Sequence, residues 1–111
     1  MTARHTFAAM MSIAASIAGF AYAGQAAASQ AISTQAGCAV CHAADKKIIG
    51  PSWHDIAAKY KGQANAMAVL SDKVRKGGKG VWGPLPMAPN DAKKISDADL
   101  KAVVTWLLKT P

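Results

Sequence analysis

The feature that most constrains this chain is a pair of cysteines three residues apart with a histidine directly after them, Cys38-Ala39-Val40-Cys41-His42. Residues at i and i+3 lie on the same side of a helical turn, so both sulfurs can bond to the vinyl groups along one edge of a haem. A neutral imidazole placed next to them can bind the haem iron through Nε2. This CxxCH motif, residues 38–42, predicts one haem c attached through Cys38 and Cys41, with His42 as an iron ligand.

Two other interpretations of the CxxCH motif compete with haem attachment. A redox-active dithiol of the thioredoxin kind needs a setting of alternating strands and helices, which the sequence does not indicate. A structural zinc site needs four ligands, and no second pair of cysteine and histidine ligands accompanies the motif. Both stay open as weaker alternatives to haem.

The first 23 residues have the order of a secretory signal. Arg4 and His5 precede an apolar, alanine-rich run at residues 7–20, and small residues follow it. The run is shorter than the ~20 residues that span a bilayer, so we expect cleavage rather than a membrane anchor. Cleavage after Ala23 is preferred, and a second A-x-A site ends at Ala28. The expected organisation is a signal peptide at residues 1–23, or as far as 28, followed by one exported domain at residues 24–111.

The domain at residues 24–111 is too small to bury much surface without help from a disulfide, a metal or a cofactor. The only two cysteines belong to the CxxCH motif, so no disulfide framework is available. Apolar residues recur at helical spacing in four segments, and no strand of convincing length is indicated. These segments run from about residue 31 into the motif, from the N-cap Ser52 to Gly62, from 65 to 76, and from the N-cap Ser96 to about 108. We expect an all-α domain.

The segment between the last two predicted helices, residues 77–95, contains four glycines and three prolines and has no sustained periodicity. In so small a domain such a loop usually has a function. Met87 lies within it, among prolines that fix the backbone and can aim one side chain at a planar cofactor. Met67, the other methionine outside the signal, lies in the apolar stripe of a helix, where methionine is usually part of the core. We therefore expect Met87 to be the second axial ligand of the iron.

His54 is the competing candidate for the second ligand, since two histidines can also bind haem iron. Its place beside Trp53 on a helix with a polar face favours a surface histidine instead. A pair of His42 and Met87 fills the coordination sphere and favours ferrous iron, which predicts an electron carrier and not an enzyme. The alternative is a small haem enzyme or gas-binding haem protein, which requires a sixth ligand that is easily displaced.

Three motifs together carry a family resemblance: the CxxCH motif, Gly50-Pro51, and GVWGPLPMAPN at residues 80–90. With them the chain resembles the small class I bacterial cytochromes c of the cytochrome c-551 family, over nearly the whole of residues 24–111. The resemblance implies the class I cytochrome c fold, in which about four helices wrap around one haem. It also implies a monohaem periplasmic protein that shuttles single electrons between respiratory redox partners, for example to nitrite reductase or a cytochrome oxidase.

The same resemblance implies three supporting residues. The Pro51 carbonyl accepts a hydrogen bond from His42 Nδ1, and Trp82 donates one to a haem propionate. Asn90 forms a hydrogen bond near the Met87 sulfur. Contacts of this kind orient metal ligands and tune the redox potential.

The chain departs from the family pattern at two places. Lys73 stands where some relatives carry an arginine that reaches a propionate, and a lysine cannot form the planar fork of arginine. Ser33 lies in the region of the first helix where some relatives have a bulky aromatic residue. We therefore expect weaker packing between the first helix and the apolar face of the last one, which contains Leu100, Val104 and Leu107.

The chain carries a formal net charge of +7, which becomes +6 when Arg4 leaves with the signal, because residues 1–23 contain no acid. Several lysines flank the segments expected to contact haem, among them Lys46, Lys47 and Lys59. A positive field of this kind steers encounters with acidic partners and weakens with salt. We expect a monomer that docks redox proteins through their acidic surfaces. Export argues against a nucleic-acid partner, and cleavage of the signal argues against stable membrane insertion.

Overall fold

The computed structural model describes residues 17–111, with side chains from Gly24 onward. Most of the expected signal peptide, residues 1–16, lies outside the described residues, and its cleavage stays a prediction. The described part of the chain has four α-helices, with a short β-hairpin between the third and the fourth. None of the described helices is long and apolar enough to cross a membrane. The all-α class expected from the helical spacing is confirmed.

The first helix, α1 (Ile17–Gln35), packs against the last helix of the chain. The buried residues at its C-terminal end are small and share one face: Ser29, Ser33 and Ala36. The Ser33 hydroxyl donates to the Gln30 carbonyl at 2.7 Å, so this buried polar group is satisfied locally. The buried face begins after both candidate cleavage sites, so signal removal leaves it in the mature chain.

The helix expected from about residue 31 into the CxxCH motif differs from α1 at both ends. It begins earlier, at Ile17, and it stops at Gln35, before the motif. Gly37 follows with a φ of 83°, a left-handed conformation that glycine adopts without steric cost and that ends helices. The motif then starts a separate 3-10 turn at Cys38–Val40. The expectation of one helix running into the motif is wrong, because Gly37 separates the two.

The two middle helices have the ends that their flanking residues predict. α2 (Trp53–Tyr60) begins after Ser52, whose hydroxyl accepts a hydrogen bond from the Asp55 amide at 3.0 Å. α3 (Ala66–Lys76) is followed by Gly77, which has a φ of 67°. A positive φ there lets the chain turn away from the helix axis.

The last helix, α4 (Asp97–Leu108), completes the core. Its N-cap is Ser96, which accepts a hydrogen bond from the Asp99 amide at 3.1 Å. α4 packs against α1, α2 and α3. Its buried side chains follow the helical spacing seen in the sequence: Leu100, Val103, Val104 and Leu107. One apolar core therefore joins all four helices.

The segment between α3 and α4 contains an antiparallel hairpin that the sequence did not indicate. β1 (Gly78–Gly80) pairs with β2 (Gly83–Met87), and Gly78 lies opposite Met87. Glycine and proline are both uncommon in strands, so the composition of this segment concealed the pairing. The hairpin corrects the expectation of a segment without strands, and it places Met87 at the end of β2.

Candidate functional site

A cavity of about 270 Å³ lies among the helices and the hairpin. Its walls are mainly apolar and include core residues of α2, α3 and α4. The seven residues predicted for the site all line this one space: Cys38, Cys41, His42, Pro51, Trp82, Met87 and Asn90. The fold thus brings together residues that lie up to half the chain apart.

The two cysteines reach the cavity from a tight turn rather than from a longer helix. The amides of Cys41 and His42 both donate to the Cys38 carbonyl, at 3.1 and 3.0 Å. Both thiols are free and partly buried. Burial raises the pKa of the Cys38 thiol above its ordinary value, although the positive charge of Lys94 opposes this. Burial therefore favours the neutral thiol of Cys38 over its thiolate.

His42 is buried, and its ring orientation is determined by the Pro51 carbonyl. The Nδ1 atom lies 2.7 Å from that carbonyl oxygen. Because a carbonyl oxygen only accepts hydrogen bonds, Nδ1 carries a proton, and in the neutral ring the lone pair is then on Nε2. A hydrogen bond of this type holds a metal-binding imidazole in one tautomer and raises its basicity.

Two neighbours hold the ring of His42 in place in a way that the sequence did not indicate. A Cβ atom at Gly50 would lie 2.7 Å from His42 Cε1, so only glycine fits there without a shift of the ring. On α2, Trp53 stacks on the imidazole, with 4.6 Å between the ring centroids and 25° between the planes. Trp106 of α4 packs edge-on against Trp53, with 5.7 Å between the ring centroids. This contact connects the stacked pair of His42 and Trp53 to the core.

Met87 is partly buried, while the two competing ligands lie elsewhere. Met67 is outside the cavity lining and lies within 3.8 Å of the Ser71 hydroxyl, which donates to its sulfur. His54 is exposed on α2 and is also outside the lining. Among the methionine and histidine side chains that the structure describes, Met87 and His42 are the two that reach the cavity.

Asn90 is buried, with 8 % of its surface exposed. It connects the end of the Met87 segment, residues 83–90, to α3. Its main-chain amide and its Nδ2 group both donate to the Val74 carbonyl, at 3.0 and 3.2 Å. The Nδ2 group also donates to the Ala88 carbonyl at 3.0 Å. These hydrogen bonds end on the main-chain carbonyls of Val74 and of Ala88, which follows Met87. The bond near the Met87 sulfur that the resemblance implied stays a prediction.

Lysine side chains lie in the cavity lining and beside it. Trp82 is 38 % exposed, and the Lys59 ammonium lies 5.4 Å from the centroid of its ring, a cation–π distance. Lys73, Lys79 and Lys94 line the cavity, and none of the six aspartates is among its lining residues. The positive charge suits an anionic group at the cavity edge, such as a carboxylate.

Arg75 is a residue of this region that the sequence analysis missed. Its Nη1 atom donates to the Asn90 carbonyl at 3.2 Å and to the Ile95 carbonyl at 2.7 Å. Its Nη2 atom pairs with Asp97 at the start of α4. The only signal in the sequence was a base in the last turn of one helix and an acid in the first turn of another. Nothing local indicated that these two helix ends meet.

The residues of the cavity fit a covalently attached haem. They provide two free thiols, an imidazole with an available Nε2, a thioether, an apolar lining and lysines suited to the propionates. Within residues 17–111 no cluster of three or more His, Cys, Asp or Glu side chains could hold a metal ion by itself. The described part of the chain therefore does not support the zinc interpretation.

Comparisons with known proteins agree with this site. The family model of cytochrome c matches residues 26–111. The chain is 56 % identical over 80 residues to cytochrome c2 of Rubrivivax gelatinosus, an alignment that covers 72 % of this chain and 94 % of the relative. It is 40 % identical over 81 residues to cytochrome c-552 of Hydrogenobacter thermophilus, covering 73 % of this chain and 80 % of that one.

Solved structures show the same fold. The structure of Nitrosomonas europaea cytochrome c552 matches with a TM-score of 0.68 and 39 % identity, over 74 % of this chain and 99 % of that one. The class 1 cytochrome MtoD from Sideroxydans lithotrophicus ES-1 matches with a TM-score of 0.66 and 32 % identity, over 76 % and 94 % of the two chains. The chain therefore belongs to the cytochrome c family, as a small class I electron-transfer cytochrome that carries one covalently bound haem c.

Proposed function

We propose that this protein shuttles single electrons between respiratory redox partners in the bacterial periplasm. Cys38 and Cys41 would hold the haem through two thioether bonds, and His42 Nε2 and the Met87 sulfur would bind its iron. The observation that carries this proposal is that His42 and Met87 line the same cavity as both cysteines. When bound, the haem supplies the one-electron ferric/ferrous couple.

The protein's own residues prepare the His42 side of the iron. The Pro51 carbonyl accepts a hydrogen bond from His42 Nδ1–H, so Nε2 is available for coordination without a change of tautomer. Gly50 and Trp53 restrict rotation of the ring. A ligand that is already oriented does not have to be reordered at each change of oxidation state, which suits a rapid carrier.

The Met87 thioether would be the second protein ligand of the iron. With His42 and Met87 both bound, the haem would have no free position for oxygen or peroxide, and the thioether would favour its ferrous state. In this proposal Asn90 supports Met87 from the main chain, and Trp82 donates to a propionate at the cavity edge. We therefore propose a carrier that does not itself catalyse a reaction.

Exposed apolar side chains and lysines surround the opening of the cavity and support docking of a redox partner. Val81 and Leu85 of the hairpin region line the cavity and are 50 % and 62 % exposed. Lys79 and Lys73 lie in the same lining. Exposed apolar side chains together with lysines suit a partner whose docking face combines apolar and acidic groups. We propose that the protein acts as a monomer at such faces.

An optical spectrum of the purified haem-loaded protein tests the axial ligands. Ligation by Met87 predicts the weak far-red band of a sulfur bound to ferric iron, and no spectral change with cyanide or CO at modest concentration. Substitution Met87→Leu should keep the haem attached, remove the far-red band and lower the reduction potential by about 0.1 V or more, within the ~0.8 V range that axial ligands set. Immediate binding of cyanide or CO by the wild-type protein would instead favour a haem enzyme or a gas-binding protein.

Electron transfer at several salt concentrations tests the acidic partner. The second-order rate constant with an acidic redox protein should fall steeply as salt rises, because the Debye length shortens from about 10 Å at 0.1 M to about 3 Å at 1 M. Small uncharged oxidants provide the matched control, since their rate should change little. Equal salt dependence with both oxidants would refute electrostatic docking.

The intact mass of the exported protein tests processing of the N-terminus. Cleavage after Ala23 predicts a mature chain that begins at Gly24, and cleavage after Ala28 predicts one that begins at Ser29. Either mass, with one haem added, in a periplasmic extract supports export. The full-length mass in the cytoplasmic fraction alone would refute it.

A further inference from the structure

The C-terminal end of α3 contacts the Met87 segment at more than one point. Gly77 approaches so closely that a Cβ atom there would overlap with the Met87 carbonyl oxygen. Three residues after Met87, Asn90 donates twice to the Val74 carbonyl. The main chain next to the Met87 side chain is therefore fixed to one helix end, independently of what the sulfur binds.

Arg75 extends this attachment to the start of α4. Its Nη1 atom donates to the carbonyls of Asn90 and Ile95, which bracket the segment between the hairpin and α4. The Arg75 side chain is 23 % exposed, whereas its partner Asp97 is 92 % exposed. Exposed ion pairs contribute little to stability. The two hydrogen bonds to main-chain carbonyls therefore supply most of the stabilisation that Arg75 gives to this segment.

We propose that Arg75 is a positioning residue for the sixth iron ligand: its guanidinium holds residues 90–95 against α3 and thereby keeps Met87 at the iron. Arg75 itself does not line the cavity. The inference rests on the proposed ligation by Met87. Its effect depends on the planar fork of donors and not only on the charge, since a single ammonium group cannot place its donors toward both main-chain carbonyls as the guanidinium does.

Ligand exchange in the ferric haem-loaded protein tests this role. Imidazole is the probe, and the limiting rate constant at high imidazole concentration measures how often the native sixth ligand leaves the iron. Arg75→Gln and Arg75→Lys should both raise this limiting rate about 10- to 100-fold, as expected for the loss of hydrogen bonds from a charged donor. The far-red band should also weaken in both variants, while the haem stays covalently attached.

Three control variants separate positioning from charge and from stability. Lys76→Gln removes a positive charge at the next residue, whose ammonium pairs with Asp72 and not with the Met87 segment. Asp97→Asn removes only the exposed ion pair. Both should leave the limiting rate within about twofold of wild type. Ile32→Ala, on α1 and outside the cavity lining, should lower the free energy of unfolding without changing the limiting rate.

The results separate a failure of the Arg75 positioning role from a failure of iron ligation by Met87. A far-red band in the wild type together with wild-type exchange rates in both Arg75 variants overturns the positioning role alone. The positioning role also fails if Ile32→Ala raises the exchange rate as much as Arg75→Lys does at an equal loss of stability. Absence of the far-red band in the wild type overturns ligation by Met87 and, with it, the inference. Arg75→Lys, the milder change, carries the test if Arg75→Gln does not fold.

Discussion

The two sides of the cavity are built in different ways. On the first side, residues 38–53, the contacts that orient His42 come from its own neighbourhood: the Cys38 carbonyl, Gly50 and the Pro51 carbonyl. On the second side, residues 77–90, the chain that follows Met87 is held at Asn90 by groups from α3. The Val74 carbonyl and the Arg75 guanidinium belong to α3, and Arg75 also reaches the start of α4.

The His42 side is held by contacts between residues close in sequence, whereas the Met87 side is held by contacts between distant segments. His42 and Pro51 are nine residues apart, and a short loop brings them together with little entropy cost. The bonds of Arg75 to Asn90, Ile95 and Asp97 span 15, 20 and 22 residues. They form only when α3 and α4 have packed. The Met87 side should therefore be the less stable of the two and the more sensitive to distant substitutions.

The largest effect is expected on the first side, where the attachment is covalent. The double substitution Cys38→Ser with Cys41→Ser removes both sulfurs that bond to the haem, so the purified protein should retain no covalently bound haem. A denaturing gel stained for haem peroxidase activity checks this. The matched variant Met87→Leu should give a stained band of wild-type intensity. A stained band in the double variant would refute thioether attachment.

A methyl group at position 77 should disturb the second side most. Gly77→Ala introduces both a strained positive φ and an overlap with the Met87 carbonyl, which together should cost about 2–4 kcal/mol in the free energy of unfolding and weaken the far-red band. Gly62→Ala is the control, since Gly62 also has a positive φ but no atom lies within 4 Å of a Cβ there. Its cost should be smaller and its far-red band unchanged. Equal losses in the two variants would show that backbone strain, and not the contact with Met87, is responsible.

A methyl group at position 50 should disturb the first side without affecting the second. Gly50→Ala places a carbon 2.7 Å from His42 Cε1, so the ring must move and its bond to Pro51 must lengthen. We expect a loss of about 1–3 kcal/mol in denaturant unfolding, typical of overpacking. The far-red band should keep its intensity, because Met87 is not contacted. A loss of that band would show that the two sides are coupled more tightly than their contacts indicate.

The smallest effect is expected at the N-cap of α2. Ser52→Ala removes the acceptor for the Asp55 amide directly beside Pro51, and should lower the free energy of unfolding by about 1 kcal/mol. Ser52→Thr keeps the acceptor and serves as the control. Guanidinium unfolding of the three proteins measures the difference. If Ser52→Ala were as stable as the wild type, the hydrogen bond of this cap would contribute nothing to the stability of the fold.

Much of the fold could be predicted because its signals are local. The N-caps Ser52 and Ser96, the stop at Gly77 and the apolar spacing of α4 each act within one or two helical turns. They correctly located three of the four helices. The prediction was wrong at the end of α1, where Gly37 adopts a left-handed conformation that breaks the helix before the motif. The hairpin was missed because its glycines and prolines resemble a loop in composition.

The residues of the candidate site also fall into two groups, those indicated by the local sequence and those fixed by tertiary contacts. Residue type and spacing pointed to Cys38, Cys41 and His42, and the prolines around Met87 singled out its loop. The sequence could not indicate that Trp53 stacks on His42, that Gly50 has room for no side chain, or that Arg75 supports the Met87 segment. Each of these depends on where another element lies.

The sequence by itself therefore determined the cofactor chemistry, the helical class and the positive charge, since these follow from residue identity and from contacts within a few residues. Only the tertiary structure decided how the Met87 segment is held. That support comes from hydrogen bonds between groups 15 or more residues apart, and such bonds compensate the entropy of closing the chain only after the helices have packed.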